Sequence, residues 1–329
     1  MKLKHPVYFV HKQARGKWAS LTADAEKPVN MDALAAQLRF GRDVWIVPTY
    51  LMLRQRGHDV RLVDRFVPGA ICVAFRDEVT ARSLCFRSYV VGIRADRGPT
   101  FLSDFEIVQS PPARPKPCQA YIPLWPQVGL MPRDPRRGCA VSRVGYLGNV
   151  QNLAARFRTP EFRSALQRIG VELVIRENSW VDYTDLDMVL AVRDGSDDFL
   201  GAKPPSKLIN AWRAGCPALL GPEPSYRHLR KSALDYCEVV TTDEAVQAVE
   251  SLRDDSARYE AMVRNGRQRS QEYSMDAIAD LWEKTLGEDV ARDYEAWRQQ
   301  PAVLAQPKRL LAFLMRWVQK RLHGKHRRR

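Results

Sequence analysis

Short apolar runs broken by polar, glycine-rich or proline-rich turns recur along the whole chain. Val7-Tyr-Phe-Val10 is the first such run and predicts a strand. Residues 31–39 and 45–56 carry apolar positions at helical spacing and predict two helices. Pro48 is expected to kink the second helix or mark its start. Gly57 stops that helix, and the stretch to Asp64 predicts a strand, with further short strands at 70–75, 89–93 and 105–109. The second half is more regular. Strands are predicted at 143–147, 171–175, 188–192, 218–220 and 238–240. A helix follows Thr159, with threonine as N-cap and Pro160 at the first helical position. Other helices are predicted over 207–214, near 225–234, and after Thr241 or Thr242 with Glu244 closing a capping box. Short apolar strands alternating with helices predict an α/β class with parallel, doubly wound sheets. Ligands in such sheets sit beyond the carboxyl ends of the strands. Gly148, Asn149, Arg193 and Ser206 each follow a predicted strand, so they are expected to converge there.

Residues 110–139 are rich in proline and arginine and read as an interdomain linker. Trp125 within it is expected to pack on a domain face, a proline-motif ligand being the alternative. The expected organisation is therefore a domain over 1–120, a linker over 121–140, a second domain over 141–290 and a helical C-terminal region over 291–329. A hydrophobic content of 45% suits packed cores rather than disorder. The six cysteines show no metal-ligand spacing and read as reduced, small, partly buried residues of a reducing compartment. The N-terminus reads as a first strand and not a signal peptide. No stretch reaches transmembrane length, so a cytoplasmic location is expected.

The net charge of +14 is unevenly placed. Lys308 to Arg329 holds nine lysines or arginines and no acid, which leaves +5 for the other 307 residues. Leu310, Leu311, Leu314, Met315, Trp317, Val318 and Leu322 form one broad face of a helix, and Lys308, Arg309, Arg316, Gln319 and Lys320 the other. Basic amphipathic helices of this kind lie on anionic membranes, so residues 308–329 are expected to reach the inner face of the cytoplasmic membrane. The competing expectation is that the apolar face packs on the protein itself. Nucleic acid is an unlikely partner, because no recognition motif or aromatic platform accompanies the charge.

The stretch 203–222 concentrates the chemistry. Pro204 and Pro205 hold an extended entry, Ser206 suits an N-cap, and Gly215 suits a left-handed stop before Pro217. Leu208, Ala211 and Trp212 share the buried face. A helix N-terminus favours a phosphate, and Lys207 adds a full charge there. Asn210 lies one turn on, where its amide is in position for a sugar hydroxyl. Gly148, after the first strand of the second half, would let a diphosphate approach the backbone, and Arg193 suits bidentate phosphate binding. Asp185-Leu-Asp187 matches a metal-binding Asp-x-Asp only formally. It precedes its strand rather than following it, so it reads as a solvated turn and no metal is expected. His11, after the first strand, is the candidate base for an acceptor hydroxyl, with Asp32 and Asp77 as alternatives.

Pro205-Ser-Lys-Leu-Ile-Asn-Ala-Trp-Arg-Ala-Gly-Cys-Pro-Ala resembles the donor-site segment of GT-B glycosyltransferases. The Arg56-Gly-His-Asp-Val pattern is similar, more loosely, to the first unit of their N-terminal domains. The resemblance implies two Rossmann-like domains facing across a cleft, with Ser206 and Lys207 on the donor diphosphate. The family's ribose-binding glutamate is replaced here by Asn210, a weaker diol partner. The implied activity is transfer of a sugar from a nucleotide-sugar to a glycan or lipid-linked acceptor, without cofactor, in bacterial polysaccharide or glycolipid synthesis. A nucleotide-sugar epimerase of the same fold and a non-catalytic basic binding protein are the alternatives.

Overall fold

Parallel pairing organises everything in the computed structural model, which describes residues 2–23, 30–111, 116–300 and 302–326. The chain divides into two compact units, Met1–Trp125 with Ile278–Arg329, and Pro126–Ala277.

The first unit begins with β1 (Val7–Val10), the short α1 (Ala19–Ala23) and α2 (Gly41–Gln55). The stretch expected as a helix at 31–39 is a 3-10 helix, Asp32–Gln37. Pro48 lies inside α2, where it forgoes one backbone bond but is fully packed. The strands β2 (Val60–Val63), β3 (Ile71–Phe75), β4 (Tyr89–Ala95), β5 (Phe105–Val108) and β6 (Gln119–Tyr121) complete a six-stranded parallel sheet in the order β2-β1-β3-β4-β5-β6. The chain reverses direction across the sheet between β1 and β3, so His11 and the residues after Phe75 border one crevice.

β6 lies within the proline-rich stretch expected as linker, whose residues 112–115 are outside the described set. Trp125 packs on a domain face, as expected. This residue is buried and its Nε1 donates to Thr49 Oγ1 at 2.8 Å, fixing it to the first unit. Residues from 126 onward belong to the second unit. Met131 pairs there with Asp182, and Arg133 is buried against Asp187.

The second unit holds β7 (Arg143–Leu147), α3 (Pro160–Arg168), β8 (Glu172–Arg176), β9 (Met188–Ala191), α4 (Asp197–Gly201), α5 (Ser206–Ala214), β10 (Ala218–Leu220), α6 (Pro224–Leu229), β11 (Cys237–Glu238), α7 (Thr242–Asp254) and α8 (Ser256–Gln271). Its five parallel strands run β11-β10-β9-β7-β8. Side chains of β9 alternate across this sheet: Met188 and Leu190 join one apolar cluster, Val189 and Ala191 the other. Both faces are therefore covered, which explains why its strands read as continuous apolar runs.

α9 (Met275–Lys284) carries the chain out of this unit and back to the first. A π-helical turn (Thr285–Val290) joins it to α10 (Ala291–Arg298), and α11 (Ala302–His326) comes last. Glu283 accepts from His58 Nε2 at 2.9 Å and from Arg56 at 3.1 Å, and the Tyr294 hydroxyl donates to Gly69 O at 2.6 Å. The second unit thus ends near 277 rather than at the expected 290.

Candidate functional site

In the second unit the reversal point lies between β7 and β9, and their carboxyl ends bring Gly148 and Arg193 to the same edge. α5 enters at that edge. Its N-cap is Pro205, and Ser206 is its first helical residue. This corrects the expectation that Ser206 is the N-cap. Leu208, Ala211 and Trp212 are buried as expected, and Gly215 takes the left-handed conformation (φ 73°) that ends the helix.

Lys207 bends back from α5 to the end of β7. Its Nζ donates to the Leu147 carbonyl and lies 5.0 Å from the centroid of the Tyr146 ring. Gly148 has φ +148°, and a Cβ there would sit 3.0 Å from the Lys207 Nζ and 3.3 Å from the Tyr146 hydroxyl. Glycine is thus required twice, by the backbone angle and by the amine beside it. Burial first, and then the charge of Arg193, push the Lys207 amine down to about 7, with Glu223 opposing. An amine so placed gains its charge readily when an anion arrives.

Arg193 donates from Nη1 to Glu223 Oε2 at 2.6 Å. Glu223 is fully buried at the start of α6, and its other carboxylate oxygen has no hydrogen-bond partner among the described residues. Burial raises the Glu223 carboxyl above its usual range, with Arg193 and Lys207 working against it. A hollow of about 150 Å³, lined in part by Gln151, Arg158 and Asp194, lies beside Arg193. Sequence reasoning missed Glu223. The signal was its place in the connection just past a buried three-residue strand, three residues beyond Leu220.

Asn149 is at the same edge, but its side chain is used locally, Oδ1 accepting from Gln151 N–H at 2.9 Å. Asn210 is buried and its amide nitrogen donates to Gln127 Oε1 at 2.6 Å, so that donor is taken by the chain itself. Gly148, Arg193 and Lys207 are brought together; Ser206 stands next to Lys207 in α5.

Asp187 corrects a different expectation. It is not a solvated turn residue. It is fully buried, accepting from Arg133 and Arg137 and from the backbone N–H groups of Ser142 and Arg143 at 2.8–3.2 Å. Asp185 pairs with Arg143 at 2.5 Å and with Arg176. Among the described residues no cluster of histidine, cysteine or carboxylate side chains could hold a metal ion.

In the first unit His11 is also fully buried. Its Nδ1 accepts from the Gln13 N–H at 3.1 Å, so the proton sits on Nε2, which donates to Asp43 Oδ1 at 2.9 Å. Both ring nitrogens are engaged, and His11 offers no lone pair to an acceptor hydroxyl. This corrects its expected role as a base. Burial would raise the Asp43 carboxyl, but bonds from His11 and Lys17 outweigh it and bring it down to about 2. Asp77 pairs with Arg97 at 3.6 Å, and Asp32 is exposed on the 3-10 helix.

The sequence matches no family model and no curated protein. Solved structures do resemble it. Sucrose-phosphate synthase from Thermosynechococcus elongatus superposes with a TM-score of 0.54 at 10% identity, over 89% of this chain and 100% of that one. Anabaena Alr3699/HepE in complex with UDP gives 0.50 at 10% identity, over 85% and 99%. The GtfA/B complex gives 0.46 at 12% identity, and there the match spans 61% of the other chain. The first two likenesses show the fold: this chain is built as two parallel-sheet α/β units of the GT-B type.

Proposed function

We propose that the protein is a glycosyltransferase that moves a sugar from a nucleotide-sugar donor to an acceptor. The carrying observation is the Lys207 amine, held against the backbone of Leu147 and Gly148 at the point where α5 begins. The first N–H groups of that helix, the Lys207 charge and the Arg193 guanidinium form one electropositive edge suited to a diphosphate. When the bond from the sugar to the diphosphate breaks, negative charge grows on the leaving oxygen. Lys207 and the helix N-terminus stabilise that charge more in the transition state than in the bound donor. The depressed amine takes up a proton as the anion binds, which makes the site specific for a charged ligand. Support for a uridine diphosphate donor comes from HepE, a protein of the same fold crystallised with UDP and with UDP-glucose.

The test is a thermal-shift panel of UDP, GDP, ADP, CMP and dTDP on the wild type and on Lys207→Ala. One nucleotide is expected to raise the melting temperature of the wild type and not of the variant. No shift with any of them would overturn the reading.

A further inference from the structure

The C-terminal helix docks by the side opposite to its apolar stripe. Phe313, Arg316 and Trp317 face the first unit. The Phe313 ring lies 5.4 Å from that of Phe86, and Trp317 packs on the cluster around Val10, Phe66 and Val90. Arg316 donates from Nη1 to Ser103 O at 3.0 Å and to Asp104 Oδ1 at 3.2 Å. Leu310, Leu311, Leu314, Met315, Val318 and Leu322 are left between 44% and 59% exposed. They are six of the thirteen exposed large apolar side chains among the described residues. At 3.6 residues per turn, the centres of the docked face and of this stripe lie about half a turn apart.

Charge decides what covers the stripe. The stretch from Lys308 to Arg329 holds nine cations and no acid, although Arg327–Arg329 lie outside the described residues. A second copy of this chain seated on the stripe would bring together two strongly basic segments with no acid between them. An anionic lipid surface accepts both the apolar side chains and the charge. Among the described residues no helix is long and apolar enough to cross a membrane, so the mode is interfacial.

We propose that α11 lies in the plane of an anionic membrane surface, its Leu310–Leu322 stripe among the acyl chains and the cations of this stretch other than Arg316 on lipid phosphates, holding the first unit to the bilayer. This surface stands independently of the transfer reaction proposed above. Phe313, Arg316 and Trp317 are the strut that keeps the stripe pointing outward.

The test is flotation of the full chain with two kinds of vesicle, phosphatidylcholine alone and equimolar phosphatidylcholine and phosphatidylglycerol. The protein is expected to float with the anionic vesicles only, and less at high salt. The double variant Leu314→Ser, Val318→Ser alters exposed side chains and should keep the wild-type melting temperature. Its partitioning to anionic vesicles should fall about tenfold or more. Failure of the wild type to bind anionic vesicles at low salt would overturn the proposal. So would full binding by the double variant, or a homodimer that the double variant abolishes without any change in lipid binding.

Discussion

Arg193 and Glu223 meet at 2.6 Å at the carboxyl edge of the second sheet, the glutamate fully buried and the arginine nearly so. The pair sits beside Lys207, whose amine feels both charges. Removing one partner strands the other charge in a dry site. Glu223→Ala is expected to destabilise the protein by about 3–5 kcal/mol in urea unfolding. Glu223→Gln, which keeps a hydrogen-bonding side chain, should lose clearly less.

Lys207 sets a pH dependence of opposite sign for folding and for binding. Unfolded, a lysine stays protonated to about 10.4. Folded, Lys207 loses its proton near 7. Between these values the unfolded chain holds more protons, so this residue makes stability rise with pH. Below 7 both states are charged and the folded state bears the whole cost of a buried cation. Lys207→Met should therefore raise the melting temperature of the ligand-free protein most on the acid side of 7, with the gain fading toward pH 10. Nucleotide diphosphate affinity should fall as pH rises above 7 in the wild type, and Lys207→Met should flatten that slope in titration calorimetry.

Much of this second unit is legible in the sequence because its strands are buried on both faces. Val144, Met188, Leu190 and Leu219 lie in uninterrupted apolar runs, and Gly215 and Pro217 punctuate α5 as their chemistry requires. What was hidden is long-range. Asp187 looks like a turn acid until Arg133 and Arg137, fifty residues upstream, are folded over it. The same contacts turn a proline-rich stretch from linker into wall. Asn210 reads as a sugar ligand by spacing, yet Gln127 claims its amide, and no local pattern announces that bond.

Gly148→Ala carries two penalties. The backbone at φ +148° is strained for any side chain, at a cost of about 1–3 kcal/mol. The new methyl also meets the Lys207 amine. The variant should melt earlier than wild type and lose nucleotide affinity. The double variant Gly148→Ala, Lys207→Met should lose less affinity than the two single changes predict together, because both act on one amine.

His11→Ala tests a structural role. Asp43 would keep Lys17 but lose its buried imidazole partner, and stability should drop by about 1–3 kcal/mol. The low Asp43 carboxyl stabilises the wild type fully above about 3.9, and this contribution is lost as pH falls toward 2. In the variant the acid unfolding limb should move to higher pH. The shape of the pH–rate profile for the proposed transfer should not change near neutrality, since both ring nitrogens of His11 are already engaged.

The return of residues 278–329 to the first unit makes that unit discontinuous along the chain, while the second unit is a single uninterrupted stretch. A ribosome delivers all of Pro126–Ala277 before it delivers Trp282, Leu286 and Tyr294, which are buried in the first unit. The second sheet can close while the first still waits, its α10-facing surface bare and its loop closure spanning the whole inserted domain. Residues 278–329 are made after the second unit and finish the first, so a nascent chain acquires the outward stripe of α11 only as its first unit becomes complete.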